Sequence, residues 1–245
     1  MGELIAILSG KGGTGKTSVC AGIATALAEL GESVLCIDCD VGLRNLDISL
    51  GLADSGALSF LDICSGDYSI EQVAAHPEYP SLFFLTAPIT CSVDAIDQKA
   101  FDAMLQKVRS RFDYIFLDAP AGIDAGFRMA AHRADRVILV TGADPAAVRD
   151  ASRTGDLLVS MGKHQVRLII NRINRRMISN MAITMDDIMD DTGLPLLGLV
   201  PDDSHVTLAA ALNQPLLLSG HSGAARAFRA IAKRIQGKPV PLSIR

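Results

Sequence analysis

Eight consecutive residues, Gly10-Lys11-Gly12-Gly13-Thr14-Gly15-Lys16-Thr17, fit the pattern G-x-x-x-x-G-K-[ST]. Each residue type suits the binding of a polyphosphate. Glycines let the backbone wrap an anion with no side chain in the way. Amides at the start of a following helix point at the phosphates, and the helix dipole favours negative charge there. Lys16 can reach the β- and γ-phosphates of a nucleoside triphosphate, and the Thr17 hydroxyl can ligate Mg2+. Ser18 follows directly and belongs with the candidate phosphate-binding residues.

Other candidates lie at the ends of apolar runs. Asp38 and Asp40 leave one such run at i and i+2, a spacing that can serve Mg2+ and an attacking water, although carboxylates after a strand are also common turn formers. Ile115-Phe116-Leu117-Asp118 ends in an aspartate of the kind that holds Mg2+ directly or through water. Asn171 and Arg172 follow a later run, and Val200-Pro201-Asp202-Asp203 follows the last one.

These residues need a scaffold. Strand-like runs recur at Leu4–Ser9, Val34–Asp38, Leu82–Thr86, Tyr114–Asp118, Arg136–Thr141, Val166–Asn171 and Leu196–Val200. Helical spacing falls between most of them, at 17–30, 97–111, 124–133, 145–161, 184–191 and 222–235. The alternation predicts an α/β fold: a doubly wound, mostly parallel sheet with helices on both faces. Ligands of such sheets bind at the carboxyl ends of the strands, where the candidates fall. The 49% hydrophobic content of the 245 residues suits a sheet buried on both faces. No linker or repeat interrupts the chain, so one domain is expected, with a folded body over 1–236 and a short proline-containing tail over 237–245.

Five cysteines, odd in number and scattered, with no signal peptide, point to a reduced, cytoplasmic protein. Cys36 and Cys39 make a C-x-x-C, but along a predicted strand and without a second pair, which favours core packing over metal or redox chemistry. The net charge of −4 argues against a DNA-binding field.

Lys11 sharpens the picture. K-G-G-T-G-K-T resembles the deviant phosphate loop of the ParA/MinD superfamily of ATPases, a phosphate-loop NTPase fold. In that family the early lysine crosses an ATP-sandwiched homodimer to the partner's nucleotide. The segment G-L-R-N-L-D at 42–47 resembles the septum-site-determining branch more closely than general ParA proteins. The segment A-P-A-G-I-D at 119–124 is similar to that branch's S-P-A-G-I-E, with Ala119 for serine and Asp124 for glutamate. The resemblance implies Mg2+-dependent hydrolysis of ATP to ADP and phosphate. It casts Lys11, Lys16 and Asp40 as catalytic, with Asp40 on the water. Thr17 and Asp118 would hold Mg2+, with Asp38 beside it. Gly10 through Ser18 would line the phosphates, Asn171 and Arg172 would meet the adenine edge, and Pro201 and Asp202 would lie along the base.

The same resemblance implies regulatory partners docking near Val148, Arg149 and Asp150, and an output in placing the division septum. A related positioning role for a flagellar or secretion apparatus, or in DNA segregation, is the alternative. The helix at 224–235 is amphipathic and basic, a pattern that suits an anionic membrane or packing on a sheet; packing is the expectation. The family's terminal membrane-targeting helix has no counterpart in the proline-containing segment 237–245, which counts against autonomous binding at the inner face of the membrane.

Overall fold

The computed structural model describes all residues except 42, 54, 89–90, 175–183 and 243–245. Gly42 of the carboxylate-bearing segment and the last three residues of the tail therefore lie outside the described residues. Seven parallel strands form one sheet: β1 (Glu3–Leu8), β2 (Val34–Asp38), β3 (Leu82–Leu85), β4 (Tyr114–Asp118), β5 (Arg136–Thr141), β6 (Val166–Ile173) and β7 (Leu196–Pro201), in the order β3-β2-β4-β1-β5-β6-β7.

Side chains alternate across a strand, so one apolar run feeds two cores. In β1, Leu4, Ala6 and Leu8 enter one core, while Ile5 and Ile7 enter the other. The first core is closed by helices Gln98–Arg109, Ala125–Arg133 and Pro145–Ser160, with Met185–Thr192 packed on the last. The second is closed by helices Lys16–Glu29 and Gly223–Ile235. The same alternation separates the cysteines of the C-x-x-C. Cys36 lies in the second core and Cys39 in the first, on opposite sides of the sheet, which removes them as a shared metal or redox pair.

The helix Gly223–Ile235 packs as expected. Ala224, Ala225, Phe228, Ile231, Ala232 and Ile235 are buried against the sheet and the helix Lys16–Glu29. Its Arg234 donates to the carbonyls of Leu197, Val240 and Pro241, which ties the start of the tail back to β7. Among the described residues no helix is long and apolar enough to cross a membrane.

Close packing of the helix Gly223–Ile235 on the helix Lys16–Glu29 is made possible by Gly22. A Cβ there would sit 2.2 Å from the ring of Phe228, itself fully buried. Alanine in a helix is favoured over glycine by about 1 kcal/mol, but overpacking costs about 1–3 kcal/mol. The two together net to about 0–2 kcal/mol, and Gly22→Ala is expected to destabilise the protein by about 2 kcal/mol, the upper end, because a ring held on all sides has little room to retreat. A lower urea midpoint at unchanged slope checks this; an unchanged midpoint refutes it.

Among the described residues, three short α-helices escaped the sequence pattern: Leu46–Leu50, Phe60–Cys64 and Ser204–Ala211. The first two have only five residues each, too few to show a period. The third buries only Ala209 fully, so it has no clear apolar stripe to read. Strand β6 also runs past the expected end at Asn171, to Ile173, through a shift of register against β7.

Candidate nucleotide site

The phosphate loop sits where the order of the sheet turns, between β1 and the helix Lys16–Glu29. Gly13 and Gly15 adopt φ of 78° and 83°, in the left-handed region that favours glycine. Gly15 is the residue that caps the helix. No side chain caps that end, and no acidic residue stands in its first turn, so its amides are left for an external anion. The two lysines part company. Lys16 is 8% exposed, whereas Lys11 is exposed at the rim. The buried hydroxyl of Ser9 donates to the Lys11 carbonyl (2.9 Å) and shapes the loop's entry.

Beside the loop, β2 and β4 bring Asp38 and Asp118 opposite each other in register, 80 positions apart in sequence. Asp38 is fully buried and accepts from the amides of Asp40 (2.9 Å), Asn45 (3.2 Å) and Leu46 (3.2 Å). Burial nevertheless pushes its carboxyl up to about 6, against those amides. Asp118 is 1% exposed, and burial lifts it to about 7; the Lys16 ammonium opposes this, Asp38 adds to it, and the Thr17 hydroxyl on the carboxyl pulls it back. Asp40, half-buried, is also raised by burial and lowered by Lys16. Two carboxyls, Asp118 and Asp40, thus share one lysine, and the Asp38 carboxyl repels Asp118.

Two buried polar atoms here have no partner: Asp118 Oδ1 and Thr14 Oγ1. An orphaned carboxylate oxygen beside the Thr17 hydroxyl is a set of hard oxygen donors that fits Mg2+, which binds one or two protein groups together with phosphates and keeps the rest of its water. Next to it, the loop 119–124 leans on the phosphate loop. The Gly122 amide donates to the Ser9 carbonyl (3.3 Å), and Ala121 lies against Gly12. Ala119 is buried, where a methyl needs no hydrogen-bond partner.

From the other side, Gly142, Ala143, Asp144 and Ala147 face the phosphate loop, with Asn171, Arg172 and Asn174 at the end of β6. They enclose a cleft of about 240 Å³ that also contains Lys11, Gly12, Gly13 and Thr14. Asp144 caps the helix Pro145–Ser160 by accepting from the Ala147 amide (3.0 Å).

Comparison with known proteins decides the kinship. The family model for the CobQ/CobB/MinD/ParA nucleotide binding domain matches residues 5–216. The chain belongs to this family. Septum site-determining protein MinD of Synechocystis is 37% identical over 244 residues, covering 98% of this chain and 92% of that protein. The solved MinC:MinD cell division protein complex of Aquifex aeolicus matches with a TM-score of 0.91 and 35% identity over 98% of each chain. The septum site-determining protein MinD of Pyrococcus horikoshii OT3, complexed with Mg-ADP, matches with a TM-score of 0.79 and 27% identity over 96% of each chain.

Within this member of the CobQ/CobB/MinD/ParA family, the expected site residues are not all gathered in one place. Lys11, Lys16, Thr17, Asp38, Asp40 and Asp118 converge around the loop. Asn171 and Arg172 line the cleft, and each spends a donor on the loop: Asn171 Nδ2 donates to the Thr14 carbonyl (2.8 Å) and Arg172 Nη1 to the Gly13 carbonyl (3.2 Å). Pro201 and Asp202 do not line the cleft. The Asp202 amide donates to the Ile173 carbonyl (3.0 Å), and its carboxylate lies 3.9 Å from Arg172. Ser18 lines a separate crevice with Ser49 and Val206.

On the helix Pro145–Ser160, Val148 is 4% exposed and packs in the core, so it is not available to a docking partner. Arg149 is exposed and Asp150 partly so. Asp144 and Asn174 were not among the expected cleft residues. The Asp144-Pro145 pair carried a usable signal, since an aspartate before proline marks a helix start at the carboxyl end of a strand.

Proposed function

We propose that this protein is a MinD-like ATPase that dimerises on binding ATP and hydrolyses it to ADP and phosphate, and that it positions the division septum through regulatory partners. The observation that carries the reading is the division of labour within one loop: Lys16 is buried beside the carboxyls of Asp118 and Asp40, while Lys11 is exposed and lines the cleft with Gly12, Gly13 and Thr14.

Loop amides and Lys16 hold the β- and γ-phosphates. Thr17 and Asp118 hold Mg2+, with Asp38 alongside. When bound, Mg2+ neutralises charge developing on the phosphate oxygens. Asp40 orients the attacking water and accepts its proton. Lys11 extends to the nucleotide of the facing copy, so that neither site is complete until two copies meet. The catalytic work is charge stabilisation and positioning. Hydrolysis removes the γ-phosphate that the segments at 38–47 and 119–124 sense, and the dimer parts.

The whole chain acts as one folded unit over 1–236 with the tail at 237–245. Its compartment is the cytoplasm, which suits five cysteines that are all free. Partners read the nucleotide state through the exposed face of the helix Pro145–Ser160, at Arg149 and Asp150.

Lys11→Ala tests the central claim. The variant is expected to bind ATP as a monomer, to show no ATP-induced dimer in sedimentation velocity, and to hydrolyse ATP about a thousandfold more slowly or worse, as when a trans-acting cation is removed from phosphoryl transfer. A dimer at wild-type strength in that variant would sink the trans role of Lys11.

A further inference from the structure

We infer that Asn171 and Arg172 are positioning residues for the phosphate loop, holding it in its anion-binding shape through two of its carbonyls before any base is bound. The inference rests on the ATP-binding reading above and deepens it, because it links the base end of the cleft to the phosphate end.

Four observations carry it. Asn171 Nδ2 donates to the Thr14 carbonyl at 2.8 Å, and Arg172 Nη1 donates to the Gly13 carbonyl at 3.2 Å. Consecutive residues of a plain strand point to opposite faces and would not both reach one loop. Here the register of β6 against β7 shifts between Ile170 and Ile173, and Arg172 takes φ of +57°, an unfavourable conformation for a residue with a side chain. The irregularity aims both donors at the same loop. The loop is shaped to receive them: a Cβ on Gly15 would lie 2.4 Å from Asn171 Nδ2, so only glycine allows the approach. Finally, Asn171 is 6% exposed, and its amide makes this bond within the interior.

The consequence follows from peptide geometry. In a planar trans peptide the C=O of one residue and the N–H of the next point in opposite directions. Tying the carbonyls of Gly13 and Thr14 toward β6 turns the amides of Thr14 and Gly15 away from it. Successive amides fixed in this way form a concave anion site. Asn171 thereby acts on the phosphates through the loop, whatever it does for the base.

Calorimetric titration of the full chain with Mg-ATP and with Mg-tripolyphosphate, which has no base, separates the two roles. Asn171→Ala is expected to weaken both ligands by a similar factor, about tenfold, the scale of one buried hydrogen bond. Arg172→Met, whose parent side chain is 65% exposed, is expected to fold normally and to weaken both by about threefold. If Asn171→Ala loses ATP but holds tripolyphosphate as the wild type does, Asn171 reads only the base and the inference is overturned. Wild-type protein that binds ATP but not tripolyphosphate overturns it too, because a preformed anion site should hold the phosphates alone. Wild-type protein that binds neither removes the ATP reading itself. Should Asn171→Ala fail to fold, unchanged tripolyphosphate affinity in Arg172→Met overturns the inference.

Discussion

Lys16→Ala is expected to lose ATP affinity by roughly a hundredfold, about 3 kcal/mol, the scale of removing one partner from a buried charge pair. The side chain is 8% exposed, so water cannot substitute for it cheaply. It is also the cation that lowers both Asp118 and Asp40. Without it, a triphosphate would enter a site holding Asp38, Asp40 and Asp118 with no buried positive charge to offset them. The loss should therefore be larger for ATP than for ADP, because the γ-phosphate adds charge to that same region. Fluorescent-nucleotide titration at fixed Mg2+ measures both, with circular dichroism as the check on folding. Wild-type ATP affinity in a folded variant would refute the assignment of the loop.

Asp40→Ala should behave in the opposite way. Hydrolysis is expected to fall by about 10²–10³-fold, the range for removing a group that handles a proton in the transition state. ATP affinity should stay the same or tighten, because the change deletes a negative charge near Lys16. The local backbone should persist: the bond that anchors this turn runs from the Asp40 amide to Asp38, and it survives loss of the Asp40 side chain. The variant should accumulate as an ATP-bound dimer in sedimentation velocity. Phosphate release measured in single turnover is the decisive readout, and turnover at the wild-type rate would place the water elsewhere. Lys16→Ala and Asp40→Ala thus separate binding from chemistry on two sides of one cluster.

The contrast between those variants depends on structure that the sequence carried unevenly. All seven strands were legible, each as a short apolar run, because a sheet buried on both faces needs apolar residues at every position. Their ends were read to within one residue. The exception was β6, extended by an irregularity with no local signature. The amphipathic pattern of the helix Gly223–Ile235 suits a membrane as well as a sheet, and packing on the sheet was the expectation. Gly22 and Gly198 settled the matter, since a Cβ on either would collide with Phe228 or Ile231 of that helix. Both contacts join separate elements, Gly22 and Phe228 from nearly opposite ends of the chain, and leave no trace in a local window.

By itself the sequence determined the phosphate loop, its two lysines and the alternation that places it after a central strand. The loop could be read because its chemistry is contiguous: glycines, lysine and threonine act through backbone that is adjacent in the chain. Tertiary structure alone decided what surrounds it. Strand pairing placed Asp38 beside Asp118, across 80 residues. The shifted register of β6 turned Asn171 and Arg172 onto the loop carbonyls, and helix packing hid Val148 while leaving Arg149 outside. The physical reason is that residue type fixes what a group can do and local spacing fixes its backbone. Which groups meet is set by the register and packing of segments far apart in the chain.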